Sequence, residues 1–289
     1  MRTTVSAQEL SAHISQDLEI SFGPLPLGLV GLGEVQPYFS FLDEARYLPK
    51  LQGELLPKVL LTTNELVHDL AEYDIDVIQV SQPREMFYTL HNSLSSKRLA
   101  NSIKPTTIHA TANVSEHAFI AAQNVTIGKG VKVEANVTIL SNVVIGDGSV
   151  IRAGAIVGES GFEYKRTSTG ILSVLHDGVI EIGQDVEIGG GTHIGQGFSW
   201  SQTVIGNGTK IDALVHVAHG SQIGTETLIA AGTVLSGSTR IGSNVWIGPG
   251  CTISNGLSIG NNAFIGIGSV VLSDVMDGVR FKSWKKVLS

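Results

Sequence analysis

The chain has 289 residues, enough for one large domain or two ordinary ones, and it is apolar yet poor in aromatics: 42% hydrophobic residues against 6% Phe, Trp and Tyr. A net charge of −7 speaks against a general nucleic-acid or anionic-membrane surface, since both need clustered cations. The single cysteine, Cys251, excludes an intramolecular disulfide and fits a reducing compartment. No apolar run reaches the roughly 18 residues of a membrane-spanning helix.

The N-terminal MRTTVSAQEL lacks the hydrophobic run of a signal peptide, so the expected location is the cytoplasm. Ser6-Ala-Gln-Glu9 has the spacing of a capping box and predicts a short helix. Lys58–Thr62 and Asp76–Val80 read as buried strands, and Met86, Phe87, Leu90 and Leu94 have the spacing of a second helix. Residues 1–105 are therefore expected to form a small α/β domain.

From residue 106 the pattern changes. Every sixth residue from Ile205 to Val271 is aliphatic, without a slip in register. The same period runs through Ile108, Val114 and Ile120, resumes after one extra residue at Ile127 and continues to Val157, and returns at Ile182, Ile188 and Ile194. Neither a helix nor an amphipathic strand keeps a strict period of six. The physical reading is a three-walled prism in which each hexad gives one short strand and one corner, and three hexads close a coil. Coils then stack at the strand spacing of about 4.8 Å, with one aliphatic side chain per wall pointing inward. Residues 106–275 hold about eight such coils. The general crossover rule predicts a right-handed coil.

Two segments break the period, residues 158–181 and 195–204. A column this strict accepts insertions only at corners, where they tend to carry function. Residues 276–289 form a short tail with a basic cluster of Arg280, Lys282, Lys285 and Lys286. This cluster reads either as a solvated tail or as a contact for a phosphate-bearing or acidic partner.

Leu214-Val-His-Val-Ala-His-Gly220 sets His216 and His219 around the inward Val217. His219 falls at a strand-to-corner junction, with its ring free to project into a groove, whereas His216 points outward. An imidazole is the natural general base at neutral pH; the plainer reading is a histidine at a subunit interface. Two histidines without a third ligand assign no metal site. Cys251 reads as core. His109, His117 and His193 read as solvent-facing, and Trp200 and Trp246 as lining a groove or an interface. The chain carries neither a phosphate loop nor a dinucleotide fingerprint.

In this order the residues resemble the UDP-3-O-acylglucosamine N-acyltransferases of lipid A (lipopolysaccharide) biosynthesis, over nearly the whole length. Phe39-Ser-Phe-Leu-Asp43 with Tyr47 is similar to that family's uridine-binding segment, which implies that Phe41 and Tyr47 sandwich the base. Gly158-Glu-Ser-Gly-Phe-Glu-Tyr164 matches a family loop and puts Phe162 and Tyr164 among the substrate-binding residues. Val217-Ala-His219 falls on the catalytic histidine motif, and Ala231-Gly232 through Ser236-Gly-Ser238 on the coil above it. The resemblance implies a left-handed parallel β-helix and a homotrimer with active sites in the clefts between protomers. It also implies that His219 is the general base and that the Gly237 N–H holds the oxyanion. The substrates implied are a UDP-linked amino sugar and an acyl thioester on acyl carrier protein or coenzyme A, with no permanently bound cofactor.

There are departures. The family's second histidine aligns with Gly256, its Asp-Arg-Gly segment appears as Gly195-Gln196-Gly197, and an asparagine of the nucleotide motif aligns with Glu44. The C-terminal helical extension that grips acyl carrier protein has no counterpart before Ser289. His216 with His219 is similar to the paired histidines of the O-acyltransferase acting one stage earlier, and Ile265-Gly-Ile-Gly-Ser-Val-Val271 to the last coil of acetyl-CoA-dependent sugar acetyltransferases. The expected activity is N-acylation of the UDP-amino sugar, with O-acylation, acetyl transfer or non-catalytic sugar-nucleotide binding as alternatives. His216 is expected to contact substrate.

Overall fold

The computed structural model describes residues 2–14, 18, 20–31, 36–51 and 56–282. Lys285 and Lys286 of the basic cluster lie outside them. The chain divides into two compact units, Met1–Ser102 with Phe162–Leu175, and Ile103–Gly161 with His176–Ser289.

In the first unit, α1 (Ala7–Ile14) opens on the capping box: the Glu9 N–H donates to Ser6 Oγ and the Ser6 N–H to Glu9 Oε2. A parallel three-stranded sheet orders Phe39–Leu42, Val59–Thr62 and Asp76–Gln79. The middle strand is buried along its whole length, which is why Val-Leu-Leu-Thr reads as a continuous apolar run. α2 (Pro83–Asn101) starts with proline, whose missing N–H costs nothing in a first turn. Its Phe87 ring stacks on Phe39 at 6.0 Å. A hairpin of Tyr164–Thr167 and Gly170–Ser173 belongs to this unit, although the sequence reading set it inside the repeat domain. Asn92 of α2 explains the attachment. Its Nδ2 donates to the Ser173 carbonyl and its Oδ1 accepts the Leu175 N–H, each at 2.8 Å, while His91 Nε2 meets the Leu175 carbonyl at 2.8 Å.

The second unit is the left-handed parallel β-helix implied by the resemblance, and it does not follow the right-handed crossover rule. Among the described residues its three walls hold eight, eight and nine parallel strands, most of them two residues long. One wall carries the strands His193–Gln196, His216–Val217, Val234–Leu235 and Thr252–Ile253 and is called the histidine wall below. Inside it Ile194, Val217, Leu235 and Ile253 form a fully buried column. Burying each such side chain contributes about 1.5–3 kcal/mol. Strands this short gain little individually, so stability comes from stacking one coil on the next.

The small residues four places after the inward aliphatics have a second job. Thr227 Oγ1 donates to the Gly242 carbonyl at 2.8 Å and accepts the Val245 N–H at 3.2 Å, and Thr209 repeats both bonds one coil below. A buried hydroxyl thus satisfies two backbone groups that the turn leaves without a ladder partner. Thr227→Val keeps the shape and removes both bonds, so it is expected to cost about 1–3 kcal/mol in urea unfolding, with the slope unchanged. Cys251 takes the same position, with Sγ 3.0 Å from the Gly266 carbonyl; burial pushes its thiol pKa up, as befits a core residue.

Candidate functional site

The histidine wall is where both excursions leave the coil. His216 stands opposite Val234, eighteen residues on, but His193 stands opposite His216, twenty-three residues on, and Ile156 opposite His193, thirty-seven residues on. The two excursions account for the longer offsets. The strands run further into the excursions than the lost period suggests: Ile156–Ser160 pairs with His193–Gln196 past a bulge between Val157 and Glu159.

His219 sits at the corner two residues past Val217, half-buried. Its backbone is pinned on both sides. The Ser238 N–H of the coil above donates to the His219 carbonyl at 2.8 Å, and the Gly220 N–H donates to Thr203 Oγ1 at 2.9 Å. Thr203 in turn donates to the Gly195 carbonyl at 2.8 Å. Gly220 has φ +68°, so the turn that carries the histidine favours glycine.

The ring of His219 lies against Gly237. A Cβ on Gly237 would come 2.5 Å from the ring Cε1 and 2.6 Å from Nε2. At the other end of the ring, a Cβ on Gly161 would come 3.0 Å from Cδ2. Two glycines on different coils thus make the slot the imidazole occupies. Among the described residues no hydrogen bond uses the Gly237 N–H, while its carbonyl accepts the Gly256 N–H at 2.9 Å.

Residues the sequence reading did not single out complete the corner. His176 lies in the last part of the first excursion and is buried, and its ring stacks on Phe198 of the second at 4.5 Å and 25°. Phe198 stacks on Trp200 at 4.9 Å and 7°. The His219 ring meets both Phe198 and His176 edge-on, at 5.4 and 5.6 Å. Trp200, expected at a groove or interface, is instead interior, at 2% exposure. The roots of the excursions are bonded together: Asp177 Oδ1 accepts the Ser199 N–H at 2.8 Å, and Gln196 Nε2 donates to the Gly178 carbonyl at 2.7 Å. Of the Gly195-Gln196-Gly197 departure, Gln196 therefore serves as a backbone tie. Gly195 permits close approach, since a Cβ there would fall 3.1 Å from the His219 backbone nitrogen. Gly256 is a corner glycine at φ +71° and presents no side chain.

On the outer face of the same wall, His193 and His216 stack at 4.9 Å and 9°. His193 is not the open-water residue expected, because Glu159 Oε2 lies 3.1 Å from its Nε2. His216 is exposed as a residue, yet its pKa is lowered, first by desolvation and then by the neighbouring His193 and His219. It is therefore neutral at neutral pH. A separate groove of about 560 Å³, on the wall with Trp246, is lined by Arg152, Glu187, Lys210, Leu228 and Trp246 and includes none of these histidines.

In the first unit, Phe41 packs on Phe87 at 5.0 Å and on Tyr88 at 5.6 Å. Tyr47 carries Arg46 at 4.9 Å and Lys50 at 5.3 Å over its ring. Arg84 donates to both Asp43 and Glu44, and its hydrogen bond holds the Glu44 carboxyl below its ordinary range. Phe162 and Tyr164 touch edge-on at 4.9 Å and are exposed. Phe41 thus packs among aromatic rings, and Tyr47 carries two cations over its ring.

The family described as Bacterial transferase hexapeptide (six repeats) matches residues 124–159, 202–237 and 238–276. Among solved structures, the chain is similar to a UDP-N-acetylglucosamine acyltransferase from Francisella novicida, at 24% identity and a TM-score of 0.47. That match covers 57% of this chain and 60% of the other. The corresponding structure from Bacteroides fragilis gives 25% identity and a TM-score of 0.46, with 59% and 66% covered. A UDP-3-O-acylglucosamine N-acyltransferase of Ectopseudomonas mendocina is 28% identical over 260 residues, 80% of this chain and 72% of the relative. One from Pseudomonas paraeruginosa is 30% identical over 250 residues, 77% of this chain and 69% of the relative. With that extent of shared sequence laid over the hexapeptide coils and their histidine corner, the chain belongs to the family of the UDP-3-O-acylglucosamine N-acyltransferases.

Proposed function

We propose that this protein transfers an acyl group from a thioester, on acyl carrier protein or coenzyme A, to the amino group of a UDP-linked amino sugar. The observation that carries the reading is the His219 imidazole held in a slot against Gly237, whose N–H is uncommitted among the described residues.

In this mechanism neutral His219 takes a proton from the sugar amine as its nitrogen attacks the thioester carbonyl. The carbonyl oxygen becomes an oxyanion and accepts the Gly237 N–H. Collapse re-forms the carbonyl, breaks the C–S bond and expels the thiolate, which the His219 imidazolium protonates. The products are an amide and a free thiol, and the imidazole returns to its starting state. Neutral His216 is read as the residue that hydrogen-bonds the sugar.

Phe41 and Tyr47 are read as the uridine-binding residues, with Phe162 and Tyr164 also contacting substrate. Arg46 and Lys50 beside Tyr47 supply cations suited to a diphosphate. The working form is a homotrimer in the cytoplasm, the residues 1–105, 106–275 and 276–289 serving as nucleotide-binding, transferase and tail segments. No helix among the described residues is long and apolar enough to cross a membrane.

Mass spectrometry of UDP-amino sugars incubated with acetyl-CoA, longer acyl-CoA or acyl carrier protein thioesters tests the reaction, and acylation of a hydroxyl alone would exclude it. Phe41→Ala is expected to raise KM for the sugar nucleotide about tenfold, the worth of one base stacked on one ring, with kcat within about threefold. An unchanged KM in steady-state kinetics would remove Phe41 from the uridine site.

A further inference from the structure

Resting on that reading of His219, we infer that His176 is a second imidazole of the site, a positioning residue that must be neutral for His219 to accept its proton. Three observations carry this. His176 is a buried ionisable ring, at 4% exposure, on the segment that re-enters the coil after the first excursion. It ends a stacked series Trp200, Phe198, His176 that no wall of the prism needs for its core. The His219 ring stands edge-on to the last two members of that series, and the Gly161 slot brings His176 Nε2 and His219 Cδ2 to within 3.0 Å of one and the same Cβ position.

The arrangement has an electrostatic consequence. When His219 takes the proton of the amine it becomes an imidazolium, and a neutral His176 beside it leaves that charge unopposed. A protonated His176 opposes it. With ring centres 5.6 Å apart and an effective dielectric of roughly 20, a charge on one ring opposes protonation of the other by about a hundredfold. His176 therefore sets the acidic edge of activity and holds the His219 ring at its working angle. The other titratable groups around the pair are His216 on the strand leading to His219, His193 one coil below, Glu159 against His193, and Asp177 beside His176. All four remain when His176 alone is replaced.

His176→Phe keeps a flat ring on Phe198 and cannot be protonated; His176→Ala removes the ring. In the pH profile of kcat/KM, the acceptor ammonium and His219 contribute to the acid limb of both wild type and H176F. The limiting slope of log kcat/KM against pH is expected to be lower by one in H176F, whatever its plateau rate. H176A is expected to lose at least tenfold in kcat, with KM for the UDP-sugar within about threefold. Equal slopes in wild type and H176F, or full kcat in H176A, overturn the inference. The wild-type protein gives a reading that needs no variant: with labelled histidine, the ring signals of His176 and His219 should each titrate in two coupled steps. Independent single steps overturn it. If H219A keeps its activity, the base assignment itself fails. If H219A is inactive while the H176 variants and the titration are unremarkable, only the role of His176 is lost.

Discussion

His219→Ala is expected to lower kcat by about 10²–10⁴-fold, the usual contribution of a positioned general base, while binding of the UDP-sugar stays within about threefold. The split follows from where the ring sits. Its backbone is fixed by the Ser238 N–H and by Thr203, neither of which depends on the side chain, so the coil survives the truncation. What disappears is the acceptor for the amine proton and the acid that returns it to the thiolate. Steady-state kinetics with a thiol-release readout, beside calorimetric binding of the sugar nucleotide, separates the two effects. Retained turnover would leave His219 as a packing residue of the corner. The truncation should also be felt at His216, whose pKa is lowered in part by charge on His219. Losing that neighbour raises the His216 value, so the imidazole that is neutral at pH 7 in the intact protein titrates at a higher pH in the variant.

Gly237→Ala is the second large effect, expected to cost about 10²-fold or more in kcat at a modest cost in stability. Gly237 lacks the positive φ that makes substitution strained at Gly220, so an alanine fits the backbone. Its methyl group, however, falls 2.5 Å from His219 Cε1, well inside van der Waals contact, and the imidazole must leave its slot. A side-chain rotation of this kind costs of order 0.5–1.5 kcal/mol in folding but removes the base from the attack geometry, where displacement by about 1 Å is worth 10² in rate. A urea midpoint lowered by no more than the equivalent of about 0.5–1.5 kcal/mol, beside a hundredfold difference in kcat, is the expected pair of results. A Gly237→Ala enzyme of full activity would show that the ring works from another rotamer.

The repeat domain was legible because its signal is redundant. The inward column is sampled every six residues, so Ile205 to Val271 fixes the phase many times over, and the buried status of Val217, Ile223 or Ile247 follows from it. The same logic found the turn carrying His219 and read Cys251 as core. Handedness was not in the spacing; it came with the resemblance. Where the period stops, the residues lose their coordinate. His176, Phe198 and Trp200 lie in or beside the excursions, and nothing in the chain around them says that one excursion stacks on the other. Trp200 therefore reads as a surface aromatic and is interior. His193 keeps its outward phase yet acquires Glu159 and His216 as neighbours, through a bulge that the hexads do not announce. The hairpin at Tyr164–Ser173 shows no period of six at all, and its grouping with α2 rests on Asn92 reaching two backbone groups.

Because each coil bonds only to its immediate neighbours above and below, the corner with His219 is a fixed address on a rail. The inserted segments hang from that rail at one edge. Beyond Gly161, His176 and Thr203, which hold the corner, the residues of either segment can change without altering the rungs that pair His216 with Val234 and Val234 with Thr252. The protein thereby separates what must not drift, an imidazole and an amide on adjoining rungs, from what can be rewritten to suit a different acceptor. A scaffold of this kind diversifies by swapping attachments and leaves its hardware in place.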